Sequence, residues 1–279
     1  MPGPLLGAHV STAGGHHKCF ERAAELGCEA IQIFTRAPSR WQGPALSAKG
    51  VEQFRQARSQ HGSPPVIAHD IYLANLAAAD DTIRQRSLDS MLNELGRCEA
   101  LGLDGLVCHM GSHPDEDQGL QRYGQAIAEI LEKTNRCPIL LETTAGQGTC
   151  LGHRLEHLAR VIEANRAHPR LGVCLDTCHV FAAGYDLRDE QDYEAFWDEF
   201  ERMVGLDRLK ALHLNDSKKP LASRVDRHAH IGQGEIGETA FRLLVNDPRL
   251  EGLPMLLETP EMESMHRVNL DLLKSFRKN

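Results

Sequence analysis

A chain of 279 residues with 41% hydrophobic and 25% charged residues has the composition of a large globular domain, which excludes a disordered or fibrous protein. Its formal net charge of −8 argues against indiscriminate binding to nucleic acid, although divalent ions held at one face would reverse the local charge. No apolar stretch approaches the ~20 residues needed to cross a bilayer, and MPGPLLGAHV at the N-terminus lacks signal-peptide features. We therefore expect a cytoplasmic protein that has no membrane partner and keeps its eight cysteines reduced.

Eight short apolar runs alternate with eight helix-like stretches along the whole chain. In order, the runs are LLGAHV, AIQIF, VIAHD, GLVCH, ILLE, GVCLD, LKALHL and MLLE. The helix-like stretches are His17 to Leu26, Lys49 to Gln60, Asp80 to Leu101, Leu120 to Lys133, Leu155 to Asn165, Asp189 to Val204, Glu238 to Val245 and Met262 to Arg277. Near-continuous apolar runs are typical of parallel strands covered by helices on both faces. The pattern predicts a single α/β domain over residues 1–279, a (β/α)8 TIM barrel.

Three of the predicted strand-to-helix loops are long. They run from Thr35 to Ala48, from Met110 to Gly119 and from Asn215 to Gly237, whereas about two to six residues are usual in α/β units. Loops at the carboxyl ends of barrel strands form the active face, and long loops there usually bind something.

Six of the apolar runs stop on a residue that can bind a metal, and three further residues of this kind follow closely. The nine are His69, His109, Glu142, Asp176, His179, His213, Asp226, His228 and Glu258. A mixture of imidazole and carboxylate favours zinc, with manganese or iron as alternatives, and nine ligands suit two or three ions. A lone histidine near a core is more often a hydrogen-bonded structural residue. Gathering so many ionisable groups at one barrel mouth without ions would, however, be costly.

Two local patterns refine this prediction. DTCH places Asp176 and His179 three apart where the chain turns, so the two are expected to serve different ions. DRH places Asp226 and His228 two apart, and in extended chain such residues point the same way and suit a shared ion. His9 ends the first strand and could support the ligands from behind. Most of the other histidines are expected to be solvated: His16, His17, His61, His113, His153, His157, His168 and His230.

The segment GQGEIG, with Gly232, Gly234 and Gly237, formally matches a dinucleotide-binding fingerprint. That fingerprint should follow directly on an apolar strand, but here the charged segment VDRHAHI precedes it. A tight turn leading into a helix whose amides could face phosphate is the favoured interpretation. We therefore expect no nucleotide cofactor.

Several long segments resemble endonuclease IV, the family of zinc-dependent apurinic/apyrimidinic endonucleases of base-excision repair. They are GAHVSTAGG, HMGSH, LETTAGQG, DTCHVFAAGYD, HLNDSK and DRHAHIGQGEIG, and the likeness covers essentially the whole chain. The resemblance implies a TIM barrel with three zinc ions that cleaves double-stranded DNA 5′ to an abasic site and also removes 3′ blocking groups. The products would be a 3′ hydroxyl and a 5′ deoxyribose phosphate.

The resemblance also implies a role for each ligand. His69, His109 and Glu142 would hold one ion, Glu142, Asp176, His213 and Glu258 a second, and His179, Asp226 and His228 the third. Glu142 and Glu258 would be catalytic, and Glu142 would bridge two ions and orient the attacking water. The enzyme is expected to be a monomer.

The resemblance further places four DNA contacts on the loops after the second and third strands, where side chains would fill the gap left by a flipped abasic nucleotide. They are Arg40, Tyr72, Leu73 and Asn75. Wedges of this kind are typically aromatic or apolar. The chain departs from the family pattern at Ser39, Ile71, Met110 and Thr143, and none of these is an expected ligand.

Two alternatives stay open on the sequence alone. A metal-dependent sugar isomerase or epimerase would place histidines and acids at the same strand ends, and fold does not separate it from a nuclease. It would need only one or two ions and would have no use for the DRHAH segment or the long Thr35 to Ala48 loop. A protein that binds abasic DNA without cutting it is the second alternative, but it would be expected to lack a ligand.

Overall fold

Eight parallel strands close into a barrel in the computed structural model, which describes residues 3–278. The barrel strands are β1 (Leu5–His9), β2 (Ala30–Ile33), β3 (Val66–His69), β4 (Gly105–His109), β5 (Ile139–Glu142), β6 (Leu171–Asp176), β7 (Leu209–His213) and β10 (Pro254–Leu257). Each pairs in parallel with its neighbours in the chain order, and β10 closes the ring against β1. The predicted TIM barrel is confirmed. The ends of the predicted domain, residues 1, 2 and 279, lie outside the described residues.

The helices that surround the barrel are α1 (Lys18–Leu26), α2 (Ala48–Gln60), α3 (Asp81–Leu101), α4 (Glu116–Lys133), α5 (Leu155–Ala164), α6 (Thr177–Ala183), α7 (Glu190–Met203), α8 (Glu238–Asn246) and α9 (Met262–Ser275). The prediction of eight helices missed α6, which begins directly after β6. It also started the fourth helix at Leu120 instead of Glu116. The Asp115 carboxylate accepts a hydrogen bond from Gln118 N (2.9 Å), and this cap begins α4 one turn earlier. No helix within residues 3–278 is both long and apolar enough to span a bilayer.

The barrel interior explains why the polar residues converge. Its apolar layer is a buried cluster of one residue from each of seven strands: Ala30, Ile67, Val107, Leu140, Cys174, Ala211 and Leu256. Residues i and i+2 of a strand point to the same side. The residue two positions after each member of this layer therefore also points into the barrel. These residues are Gln32, His69, His109, Glu142, Asp176, His213 and Glu258. His9 of β1 pairs with Gln32 in register and completes this polar ring.

The long loop after β7 carries its own small ribbon. Strands β8 (Asp216–Ser217) and β9 (His228–Ala229) pair antiparallel, which folds the loop back over the barrel mouth. This return brings Asp226 and His228 next to residues of the polar ring. All eight cysteines are free thiols, and six of them are buried.

Candidate metal centre

Glu142 lies at the middle of the polar ring and is fully buried. Its Oε2 is 3.1 Å from His69 Nε2 and 3.4 Å from His109 Nε2, and its Oε1 is 2.9 Å from His213 Nδ1. One carboxylate thus faces imidazoles from three different strands. Because its two oxygens face different groups of imidazoles, this carboxylate would be placed to serve two ions.

A second group shares Glu142 and adds the ends of three neighbouring strands. His213 Nδ1 lies 3.3 Å from Glu258 Oε2 and 3.7 Å from Asp176 Oδ2. One ligand atom from each of Glu142, Asp176, His213 and Glu258 fits within 4.8 Å of the others, as is also true of His69, His109 and Glu142. These two sets have the membership that the sequence resemblance implied for the first two ions.

The third group combines the helix after β6 with the ribbon. Asp226 Oδ2 is 3.4 Å from His179 Nε2, and Asp226 Oδ1 is 3.2 Å from His228 Nε2. Asp176, three residues before His179, points its carboxylate into the second group and lies 3.7 Å from His228 Nε2. Asp176 and His179 thus belong to different groups and Asp226 lies beside His228, while Asp176 also forms a group with Cys178 and His228. Which ion each residue serves stays a prediction.

Three of the five histidines are oriented for ligation by hydrogen bonds on their outward nitrogens. Nδ1 of His69 donates to Asp70 O (2.7 Å), Nδ1 of His179 to Thr143 O (2.8 Å), and Nδ1 of His228 to Glu258 O (3.2 Å). With the proton on Nδ1, each neutral imidazole turns the lone pair of Nε2 inward. His228 Nε2 is buried, makes no well-formed hydrogen bond and lies 3.2 Å from Asp226 Oδ1, so a cation bound there would contact both atoms. The donor set therefore fits a metal ion.

The electrostatics of the groups point the same way. Burial opposes the ionisation of Glu142, but His109 and His213 hold the pKa of its carboxyl well below the ordinary value. Burial likewise opposes the ionisation of Glu258, but His213 and His69 lower its pKa to about 2. Against the same burial, Asp176 and Asp226 raise the pKa of His179 to about 10. At that pKa the His179 imidazole is protonated near neutral pH when no metal is present, so protons on imidazoles balance part of the carboxylate charge. In the neutral form that binds a metal, the nine side chains carry a charge of −4 from the four carboxylates, which divalent cations would balance.

A further grouping of Glu116, His153 and His157 lies outside the ring. Arg154 pairs with the Glu116 carboxylate and lies 3.0 Å from His157 Nε2, and Arg224 lies 3.1 Å from His153 Nε2. The guanidinium groups of Arg154 and Arg224 already contact these potential ligand atoms and would repel a metal cation, so we assign no metal to this grouping. His157 and His113 are buried, and the prediction that they are solvated was wrong. His157 Nδ1 accepts from Gly152 N (3.0 Å), and such a contact depends on packing that a sequence does not show.

The expected DNA contacts lie beside the centre but differ in their surroundings. Tyr72 is 63% exposed and Leu73 38% exposed, Arg40 is also exposed, and the Tyr72 ring lies 5.7 Å from the ring of His69. Asn75 is half-buried, and its amide already donates to Ser112 O (3.0 Å) and accepts from Ser112 N (3.1 Å). Three of the four are therefore free to meet a ligand, while Asn75 ties its loop to the one after β4. Their contact with DNA stays a prediction.

The GQGEIG segment forms a turn, and its amides are already in use. The buried carboxylate of Asp216 accepts from Gly234 N and Ile236 N, both at 3.0 Å. A Cβ on Gly234 would lie 2.4 Å from Ser217 O, so this position requires glycine for close packing. Because these amides already donate to Asp216, they are not available to a phosphate, which argues against the nucleotide interpretation and against a phosphate at this turn.

Three residues around the ligands were missed as contributors by the sequence reasoning. Gln32 contacts His213 and Glu258, and Asn215 contacts Asp176 and the backbone of Glu258. Thr143, noticed only as a departure from the family pattern, accepts from Asp176 N through Oγ1 (2.9 Å). The sequence did contain a signal for Gln32: in AIQIF it is two residues after Ala30 and therefore points into the barrel like the ligands. His9 Nδ1 lies 3.1 Å from Gln32 Nε2 and 4.0 Å from Glu258 Oε1, the supporting place expected for it.

Comparison with known proteins shows which family this centre belongs to. A family model described as a xylose isomerase-like TIM barrel matches residues 20–276. The probable endonuclease 4 of Chloroflexus aggregans is 51% identical over 278 residues, which cover 98% of this chain and 97% of that relative. The chain belongs to the endonuclease IV family. The probable endonuclease 4 of Geotalea daltonii, another member, is 48% identical over 280 residues with 98% of both chains covered.

Solved structures separate the family from the wider fold. Endonuclease IV from Thermus thermophilus matches with a TM-score of 0.89 and 38% identity over 98% of both chains. A D-tagatose 3-epimerase-like protein matches with a TM-score of 0.72, but at 18% identity over 98% of this chain and 96% of that one. The second likeness shows the barrel fold alone. The resemblance of the sequence to endonuclease IV is confirmed.

Proposed function

We propose that this chain is a DNA-repair endonuclease that hydrolyses the phosphodiester bond 5′ to an abasic site in double-stranded DNA, with a cluster of three zinc ions. The observation that carries the proposal is the convergence of nine candidate ligand side chains into three contiguous groups at the barrel mouth. Membership of the endonuclease IV family supports the same reaction. Removal of 3′ blocking groups, which leaves the same 3′ hydroxyl, belongs to the proposal.

The three groups would hold one ion each, and Glu142 would serve two of them. Zinc in such a site lowers the pKa of water and stabilises charge on phosphoryl oxygens, and manganese or iron could replace it at one site. Three divalent ions would change the charge of the centre from −4 to +2, the sign that a phosphate requires. This local reversal reconciles a DNA substrate with a chain whose net charge is −8.

The protein's own groups would position the reaction. Glu142 and Glu258, which each place a carboxylate oxygen within 4.8 Å of the other, would orient a water for attack on phosphorus, opposite the 3′ oxygen that leaves. The water oxygen would form a bond to phosphorus and release a proton, the P–O3′ bond would break, the leaving 3′ oxygen would take up a proton, and the phosphate would stay on the abasic sugar. Tyr72 and Leu73 project from the loop after β3 and would fill the space vacated by the flipped sugar. Flipping costs least where the base is already missing, which selects the lesion.

The test is incision of a duplex that carries one tetrahydrofuran abasic analogue, with the intact duplex as control. We expect a single cut 5′ to the analogue, a product with an extendable 3′ hydroxyl, and complete loss of the cut after chelator treatment with recovery on added zinc. Glu142→Gln should abolish incision, whereas Glu156→Gln, an exposed acid on α5, should not. Binding without cutting, or incision that survives the chelator, would overturn the proposal. The monomeric state, the cytoplasmic location and the lack of a nucleotide cofactor stay predictions.

A further inference from the structure

Gln32 occupies an unusual place in the polar ring. Seven of the eight barrel strands contribute a histidine or an acid at this level, and β2 contributes a neutral amide. Gln32 is fully buried, so it does not reach solvent or a bound substrate. Burial of an amide is costly unless its hydrogen bonds are made. The hydrogen-bond partners of the Gln32 side chain therefore indicate its role.

Both ends of the Gln32 amide contact residues of the second metal group. Its Nε2 lies 2.5 Å from Glu258 Oε1, and its Oε1 lies 2.8 Å from His213 Nε2. A carboxylate only accepts hydrogen bonds, so the NH2 group must face Glu258 and the carbonyl must face His213. His213 Nε2 consequently has to carry a proton. The neutral form of His213 then presents its lone pair on Nδ1, the nitrogen that faces Glu142, Asp176 and Glu258.

Four of the candidate histidine ligands have a hydrogen-bond partner on the nitrogen that points away from the centre. His213 differs from the other three in which nitrogen this is. His69, His179 and His228 each donate from Nδ1 to a backbone carbonyl and turn Nε2 toward the centre. His213 turns Nδ1 toward the centre, which leaves Nε2 pointing across the barrel toward β2. The Gln32 side chain supplies there the acceptor that the backbone supplies for the other three. The same amide holds Glu258 Oε1, which leaves Oε2 for the group that contains His213.

We propose that Gln32 is a positioning residue for the ion held by Glu142, Asp176, His213 and Glu258. It fixes the tautomer of His213 and the rotation of the Glu258 carboxylate, two of the four ligands, from one side chain. Residues behind the ligands of a metal typically change its affinity or the activity by 10–100-fold when they are replaced. The inference rests on the proposed metal assignment and adds to it a residue that is itself no ligand.

The test replaces Gln32 by methionine, which keeps the length of the side chain and removes both polar ends. Protein loaded with three zinc ions is mixed with a chromogenic chelator, and the release of each equivalent is timed. We expect Gln32→Met to release one of the three ions about 10–100-fold faster than wild type and the other two at unchanged rates. Incision of the abasic duplex should show a lower kcat with an unchanged KM, because Gln32 does not reach the substrate.

Two controls separate this effect from a loss of folding and from failure of the proposed function. Asn165→Leu removes another buried amide, which contacts Gly124 O and Val161 O far from the ring, and should leave zinc release unchanged. Gln32→Ala serves if the methionine variant does not fold. If wild type itself holds no zinc, the proposed function fails. If wild type holds three ions and a folded Gln32 variant releases them all at the wild-type rate, only the role of Gln32 is overturned.

Discussion

The side-chain amide of Asn215 donates a 2.7 Å hydrogen bond to Oδ2 of Asp176, and both residues are fully buried. The Oδ1 of the same amide accepts from Glu258 N at 3.0 Å, and Asn215 N donates to Thr177 Oγ1 at 2.9 Å. One residue thus joins the carboxyl ends of β6, β7 and β10 beneath the ligands. The stability of the barrel mouth and the geometry of the metal centre are therefore coupled.

Replacing Asn215 by alanine should lower the free energy of unfolding by about 1–3 kcal/mol, because the Glu258 N–H and an oxygen of Asp176 would lose their buried partner. Urea unfolding in the presence of a chelator measures this loss without a contribution from metal. Asn93→Ala, at an exposed position on α3, is the matched control and should change stability by less than about 0.5 kcal/mol. Equal effects of the two substitutions would show that Asn215 does not support the ring.

Glu258→Gln should reduce incision of an abasic duplex by several orders of magnitude, since an amide provides neither the charge nor the ligand strength of the carboxylate. Steady-state kinetics with saturating zinc measure the loss. Glu263→Gln changes an exposed acid on α9 and should keep wild-type kcat and KM. If Glu258→Gln incised the duplex at the wild-type rate, Glu258 would not be part of the metal centre.

The loop after β2 is anchored by a buried ion pair between Arg36 Nε and Glu94 Oε2 at 2.5 Å, and the same guanidinium holds Trp41 O and Ser90. Glu94→Gln should cost about 3–5 kcal/mol, because it leaves the Arg36 charge buried without its partner. Urea unfolding measures this cost. Glu129→Gln breaks an exposed pair with Lys133 and should leave the stability nearly unchanged. We also expect Glu94→Gln to bind abasic DNA more weakly, since the anchored loop carries Arg40. A variant as stable as wild type would contradict this account of the loop.

Asp247 links α7 to the segment before β10 and should make stability depend on pH. Burial opposes its ionisation, but hydrogen bonds from Arg249 and Tyr193 hold the pKa of its carboxyl below the ordinary 3.8. Because the pKa is depressed in the folded state, the charge stabilises the fold above about pH 3.8, and this contribution is lost as pH falls through the lower, folded value. The stability difference between wild type and Asp247→Asn should therefore be largest near neutrality and shrink in acid. Chemical unfolding at several pH values measures it, with the exposed Asp271→Asn as control. A difference that is independent of pH would contradict the assignment.

The barrel and the six candidate ligands at the strand ends could be predicted from the sequence because both depend on local order along a strand. His179, Asp226 and His228 lie beyond the barrel strands, and the motifs DTCH and DRH indicated them. Leu140 and Glu142 of β5, like Ile67 and His69 of β3, show how an apolar layer and a polar ring follow from residues two positions apart. Parallel pairing then brings distant strand ends together without further information.

The remaining features depend on packing between segments that are far apart in the chain. The seven residues of α6 are too few for a periodic pattern and follow β6 without a loop, so DTCH read as a turn. His157 lies on a predicted helix, but its burial depends on the fit of α5 against the loop that contains Gly152. Gln32 was overlooked because an amide is a poor zinc ligand, and its role is visible only through His213 and Glu258.

The most direct test of the central claim is a titration of zinc into the metal-free protein, with the rate of incision of a duplex carrying one abasic analogue measured at each addition. The three ligand groups predict that the rate rises until three equivalents per chain are bound and then stays constant. Full activity in the absence of metal, or saturation at a single equivalent, would contradict a catalytic centre built from all nine side chains.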